Sequence, residues 1–183
     1  MTAGEGSAAD ASGAAAEEAA SSAVDPGAHP AETTPALDAV LATGTAHRVV
    51  RTSAAGSAEE SASLQGIPLE ALLRTIVVRL GADDYVFVLI PAGRQFDWPK
   101  VRTELGVKRL SLPDADEAQA ATGYVRYTIT PFGSTHAWPV LVDRSVMDQP
   151  VVAIGGGARG VNLHLAPKDL VAALGATVAD LSG

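Results

Sequence analysis

The sequence contains no cysteine. That removes disulfides, thiolate zinc sites and cysteine nucleophiles together, and it suits a reducing compartment. Residues 1–36 contain no lysine or arginine. Without a basic start, and with Glu5, Asp10, Glu17 and Glu18 interrupting every apolar stretch, this segment does not read as a secretory signal. Nowhere does the chain reach the ~18 consecutive apolar residues that a membrane helix needs, so the protein is expected to be cytoplasmic. There is no G-x-S-x-G nucleophile elbow, and none of His29, His47, His136 and His164 lies at metal-ligand spacing from another. Neither an elbow-type serine hydrolase nor a histidine metal site is expected.

What is present points to one globular domain. With 183 residues, 47% hydrophobic and 19% charged, the chain can bury a substantial core but not two ordinary ones. Residues 1–36, rich in Ala, Gly, Ser, Thr and acids, are expected to form a disordered arm, leaving a domain over 37–183. The formal charge of −8 is concentrated in that arm, which holds six acids; residues 37–183 carry 15 acids against 13 bases, a net of −2. Arg94, Lys100, Arg102, Lys108, Arg109 and Arg126 fall within 33 residues. They read either as ordinary solvated residues or as a basic face able to meet phosphates.

The local signals alternate between helix and strand. "TPALDAVLATG" has Thr34 as a cap, Pro35 in the first turn and Gly44 at the end. "AHRVVRT" reads as a strand, and "SAEESASLQGIP" as a helix with Ser57 and Glu60 at capping-box spacing. "LLRTIVVRL" and "YVFVLIPA" are joined by "GADD" in a hairpin. "DWPKVRTELG" is helical, "KRLSL" extended and "DADEAQAATG" helical. "WPVLVD", "VVAIGG" and "VNLHLA" supply three more strands, and "APKDLVAAL" a final helix. The order implies a single α/β or α+β domain with a mixed sheet surrounded by short helices.

Two loops have a composition suited to ligands. In "YTITPFGSTHAWPVLVD", Pro131 and Gly133 force a turn that can direct backbone N–H groups at a carbonyl oxygen or a ribose, or that simply joins two strands. "GGGARG", residues 155–160, lies between two strands and lacks the ending of a P-loop, so by itself it reads as a turn.

Taken in order, "SAEESASLQGIPLEALLRTIVVR", "VLIPAGRQFDWPKVRTELGVKRLSLPDADEAQAATGY", "TPFGSTHAWPVLVD" and "AIGGGARGVNLHLAPKDLVAALGATVADL" resemble the YbaK and prolyl-tRNA synthetase-associated editing family. The resemblance runs in one register over roughly residues 37–181. It implies a compact domain with a curved mixed sheet and a trans-acting aminoacyl-tRNA deacylase that hydrolyses the ester of mischarged tRNA. The implied partner is the 3′ aminoacyl-adenosine end of that tRNA, not DNA and not a membrane; no cofactor and no metal is implied.

The resemblance also implies a site. Arg74 stands where the family typically carries lysine, and would bind the 3′ end or orient its ester. Tyr127 stands at the glycine of the family's G-x-x-x-P loop and Thr130 at its serine, with Thr130, Pro131 and Gly133 shaping the pocket. Gly155 replaces the serine of a Ser-Gly-Gly motif, Gly156 and Gly157 would form the opposite wall, and Asn162 lies near the place of an acid. These departures leave two other readings open: a catalytically silent module that binds aminoacyl-tRNA, a nucleotide or a protein, and a hydrolase of another small acyl ester or amide.

Overall fold

A computed structural model describes residues 33–183. Helix α1 (Pro35–Ala42) is capped by Thr34, whose hydroxyl accepts the Leu37 N–H at 3.1 Å. Thr34 and Ala36 are buried. Residues 1–32, with most of the expected arm and His29, lie outside the described residues.

Three further helices start where short polar side chains satisfy the free N–H groups of a first turn. In α2 (Ala58–Gln65) Ser57 accepts from Glu60, and the Glu60 carboxylate reaches back to the Gly56 N–H. Asp97 caps α3 (Trp98–Leu105) and Asp114 caps α4 (Ala115–Thr122) in the same manner. Helix α5 (Pro167–Leu174) has Pro167 in its first turn and no side-chain cap.

The strands form two sheets. The hairpin of β2 (Leu73–Gly81) and β3 (Asp84–Pro91) is antiparallel, and the turn between them puts Asp83 at φ 52. Strand β4 (Val140–Asp143) adds in parallel to β3, and β7 (Thr177–Ala179) in parallel to β4, giving a mixed sheet in the order β2-β3-β4-β7. The second sheet is antiparallel, in the order β1 (Arg48–Arg51), β6 (Val161–Leu165), β5 (Val152–Gly155). A parallel bridge between Leu72 and Ala153 joins the two sheets at one seam.

Alternation along the central hairpin explains why "YVFVLI" is apolar throughout. Tyr85, Phe87 and Leu89 enter the larger core with Val142, Ile154, Leu163 and Leu170. Val86, Val88 and Ile90 face the opposite way, onto Val101 of α3 and Leu181. A strand covered on both faces has no solvent side to keep polar.

Two elements differ from expectation. "KRLSL" contributes one bridge, in which Ser111 and Arg79 exchange backbone hydrogen bonds of 2.8 and 3.1 Å; Pro113, which has no N–H, stops the pairing from extending. Strand β7 was not expected, because three residues are too few to show an alternating pattern.

Candidate functional site

A cleft of about 570 Å³ opens beside the seam between the sheets. This lies within the usual size range of small-ligand pockets. It is lined by the segment 54–58 with Ser61 of α2, by Arg74 of β2, by Tyr127 and Thr128, and by Gly155, the turn between β5 and β6 and the first residues of β6. Among the described residues the lining contains arginine, serine, threonine, tyrosine and asparagine side chains but no carboxylate and no imidazole. Its polar character is therefore cationic and hydroxylic, which suits an anionic or ester-bearing ligand.

Arg74 is exposed in this cleft and is held at one end. Its Nη2 donates to the backbone carbonyl of Arg94 at 2.8 Å. The Arg94 loop is fixed in turn, since Gln95 and Gly183 exchange two backbone hydrogen bonds and Asp97 donates its N–H to Leu181. Arg94 Nε also donates to Ser182 Oγ at 2.6 Å, and Ser182 Oγ donates to Asp143 Oδ2 at 2.9 Å. Burial of Asp143 works against its charge, yet hydrogen bonds from Ser145, Leu181 and Ser182 outweigh it and hold the carboxyl below its ordinary value. The buried carboxylate is the fixed point on which the Arg94 loop rests.

Of the residues singled out from sequence, the cleft brings together Arg74, Tyr127, Gly155 and Asn162. Asn162 also donates to the Val50 carbonyl at 3.4 Å. Thr130, Pro131, Gly133, Gly156 and Gly157 are not among its lining residues. Gly133, at φ 68, packs so closely on α1 that a Cβ there would lie 2.3 Å from the Pro35 carbonyl oxygen. The Gly156 carbonyl accepts from Thr34 Oγ1, and a Cβ at this glycine would lie 2.7 Å from Val161 Cγ1. These glycines seat the first helix against the β5–β6 turn. Thr130 is fully buried, and its Oγ1 has no hydrogen-bond partner among the described residues.

Several cleft residues escaped the sequence reading. Arg159 sits inside "GGGARG", where the glycines drew attention to the backbone alone. In the segment 54–58 the sequence marks only Ser57, and marks it as a helix cap. Of the basic group, Arg94 and Lys100 are engaged by the chain itself, Lys100 with Asp180 and the Ser182 carbonyl, whereas Arg126 lies beside the cleft against Tyr127. His164, in β6, is buried, with Gln65 Oε1 at 2.8 Å from Nε2 and Arg48 at 3.3 Å from Nδ1.

An aminoacyl-tRNA editing domain model matches residues 52–173. A protein of Enterococcus faecalis described as a candidate Cys-tRNA(Pro)/Cys-tRNA(Cys) deacylase, EbsC, is 24% identical over 126 residues, 69% of this chain and 77% of that one. The crystal structure of a hypothetical protein superposes with a TM-score of 0.75 at 26% identity, over 82% of this chain and all of the other. A crystal structure described as a candidate trans-editing enzyme for prolyl-tRNA synthetase gives the same TM-score at 24% identity, over 81% of this chain and 95% of that one. Every residue lining the cleft falls inside the matched 52–173 span, and the chain belongs to the aminoacyl-tRNA editing domain family.

Proposed function

We propose that the protein is a trans-acting aminoacyl-tRNA deacylase that receives the acylated 3′ end of mischarged tRNA in the cleft beside Arg74. The observation that carries this reading is the coincidence of the family match with the cleft: all lining residues, from Ala54 to Asn162, belong to the matched region. Arg74 supplies a positive charge with one N–H engaged by the Arg94 carbonyl and, among the described residues, the rest of its fork open to a phosphate or the ester carbonyl. Hydrolysis requires water to attack that carbonyl while donors hold the developing oxyanion. Since no carboxylate or imidazole among the described residues lines the cleft, a hydroxyl of the protein or of the substrate's own terminal ribose relays the attacking water's proton to the ribose oxygen that departs as the acyl–oxygen bond breaks, leaving the free amino acid and the deacylated end.

The same lack of a side-chain base favours one second reading, a module that binds aminoacyl-tRNA without hydrolysing it. Deacylation of alanyl-, cysteinyl- and seryl-tRNA by the natural protein, with Arg74→Lys and Arg74→Ala beside it, separates the two. The hydrolase reading expects turnover that falls at least ~10-fold in Arg74→Ala, equivalent to ~1.4 kcal/mol of transition-state stabilisation, with the melting temperature unchanged. Silence from the natural protein and from Arg74→Lys alike would leave the binding module.

A further inference from the structure

At the mouth of the cleft one residue is held in a backbone conformation that its side chain disfavours. Tyr127 has φ 70 and is 73% exposed. A bulky residue in the left-handed region costs free energy that glycine there does not, and such strain is concentrated at functional positions. Nothing in the packing requires the side chain, because it is buried against no core. What it has instead is charge: the Arg126 guanidinium lies 4.9 Å from the ring centroid and that of Arg159 5.3 Å. Both arginines are exposed, and neither makes a salt bridge among the described residues.

We infer that Tyr127, Arg126 and Arg159 form a docking platform for single-stranded nucleic acid, taking the unpaired nucleotides that precede the acylated nucleoside. The inference rests on the reading that the cleft receives the acylated end of tRNA. An exposed aromatic ring interleaved with guanidinium groups is the chemistry that binds single strands: the bases stack on the π face and on the guanidinium planes, and the arginines pair with phosphates. The platform is continuous with the cleft, since Tyr127 and Arg159 also line it. A terminal nucleotide seated beside Arg74 therefore leaves the strand that precedes it to run out across the ring. The platform recognises unpaired nucleotides as a class, not one base, because it offers stacking and charge and no base-edge reader is argued for it.

The test uses a short, labelled, unacylated single-stranded RNA ending in CCA, titrated by fluorescence anisotropy against the full chain. Tyr127→Phe keeps the ring and is expected to bind like the natural protein. Tyr127→Gly removes the ring while suiting the backbone, and is expected to bind at least ~10-fold more weakly although its melting temperature does not fall. Arg126→Gln and Arg159→Gln are each expected to flatten the dependence of log Kd on log salt by about 0.7, the value for one phosphate contact on a single strand. Equal affinity of Tyr127→Gly and the natural protein would overturn the platform. Because the probe has no ester, the result is independent of turnover: Tyr127-dependent binding without deacylation supports the platform and removes the hydrolase, and deacylation with Tyr127-independent binding does the reverse.

Discussion

Arg74 and Ser182 do not touch, yet they meet through Arg94: its carbonyl oxygen accepts from Arg74, and its side-chain Nε donates to Ser182. The two ends of one residue thus connect an exposed cationic group in the cleft to a buried carboxylate, that of Asp143. Ser182→Ala leaves Arg94 Nε without its acceptor and Asp143 without one of its donors. The expected loss is ~1–3 kcal/mol in urea unfolding, accompanied by a fall in deacylation rate that Ser182→Thr restores. A rate unchanged in Ser182→Ala at a temperature where it remains folded would show that Arg74 needs no such support.

Asp143 ties this support to pH. Its folded carboxyl titrates below its unfolded value, so the stability it contributes is fully present above the unfolded value and is lost as pH falls through the folded one. His164 works over a milder range. Burial first, and then the Arg48 charge, lower its pKa, so the unfolded chain takes up the proton before the folded one does. Its contribution is complete above about pH 6.5, the ordinary histidine value, and is lost as pH falls through the lowered folded value. Unfolding free energies measured across this interval are expected to decline on acidification, and His164→Gln to remove that slope.

Two neighbouring glycines, Gly155 at the end of β5 and Gly156 after it, are expected to differ in their tolerance of a side chain. A Cβ at Gly156 would lie 2.7 Å from Val161 Cγ1 and 2.9 Å from the Val161 carbonyl oxygen, so Gly156→Ala should destabilise the domain by ~1–3 kcal/mol. At Gly155 the nearest atom to such a Cβ is the Ile129 carbonyl oxygen at 3.8 Å, an ordinary contact. Gly155→Ser should therefore fold with stability within ~0.5 kcal/mol of the natural protein. It adds a hydroxyl to a cleft wall, and comparison of its deacylation rate with the natural protein's reads what that hydroxyl contributes.

Thr130 offers a similar contrast inside the core. Its hydroxyl is buried without a partner among the described residues, so Thr130→Val, nearly equal in shape, is expected to be neutral or to stabilise by up to ~1 kcal/mol. A Tm lowered by this exchange would show that the hydroxyl is satisfied in solution.

Much of the fold was legible because its signals are local. Thr34, Ser57 and Asp97 mark helix starts that their own N–H acceptors confirm, and the "GADD" turn lies where two β-branched runs must reverse. Strand β7 was not legible, since its identity depends on pairing with β4 and not on its own three residues. The site divides along the same line. Arg74, Tyr127, Gly155 and Asn162 were reached through a family pattern that is linear in the chain. Arg94, Asp143 and Ser182 act through contacts across up to 88 residues of sequence, for which no short motif exists. Gly133 and Gly156 have a linear pattern too, but the pattern does not say whether a glycine makes room for a ligand or for a helix; the closeness of Pro35 and Val161 does.

The contact between Ser182 and Arg94 also sets an order of assembly. Synthesis runs from the N-terminus, and the last residue lining the cleft is Asn162. A nascent chain extended to Leu174 has already received every cleft residue, Arg74 and Tyr127 included. It still lacks β7 and the residues that brace the Arg94 loop. The cationic group that Arg74 brings to the cleft is thus delivered early and fastened late.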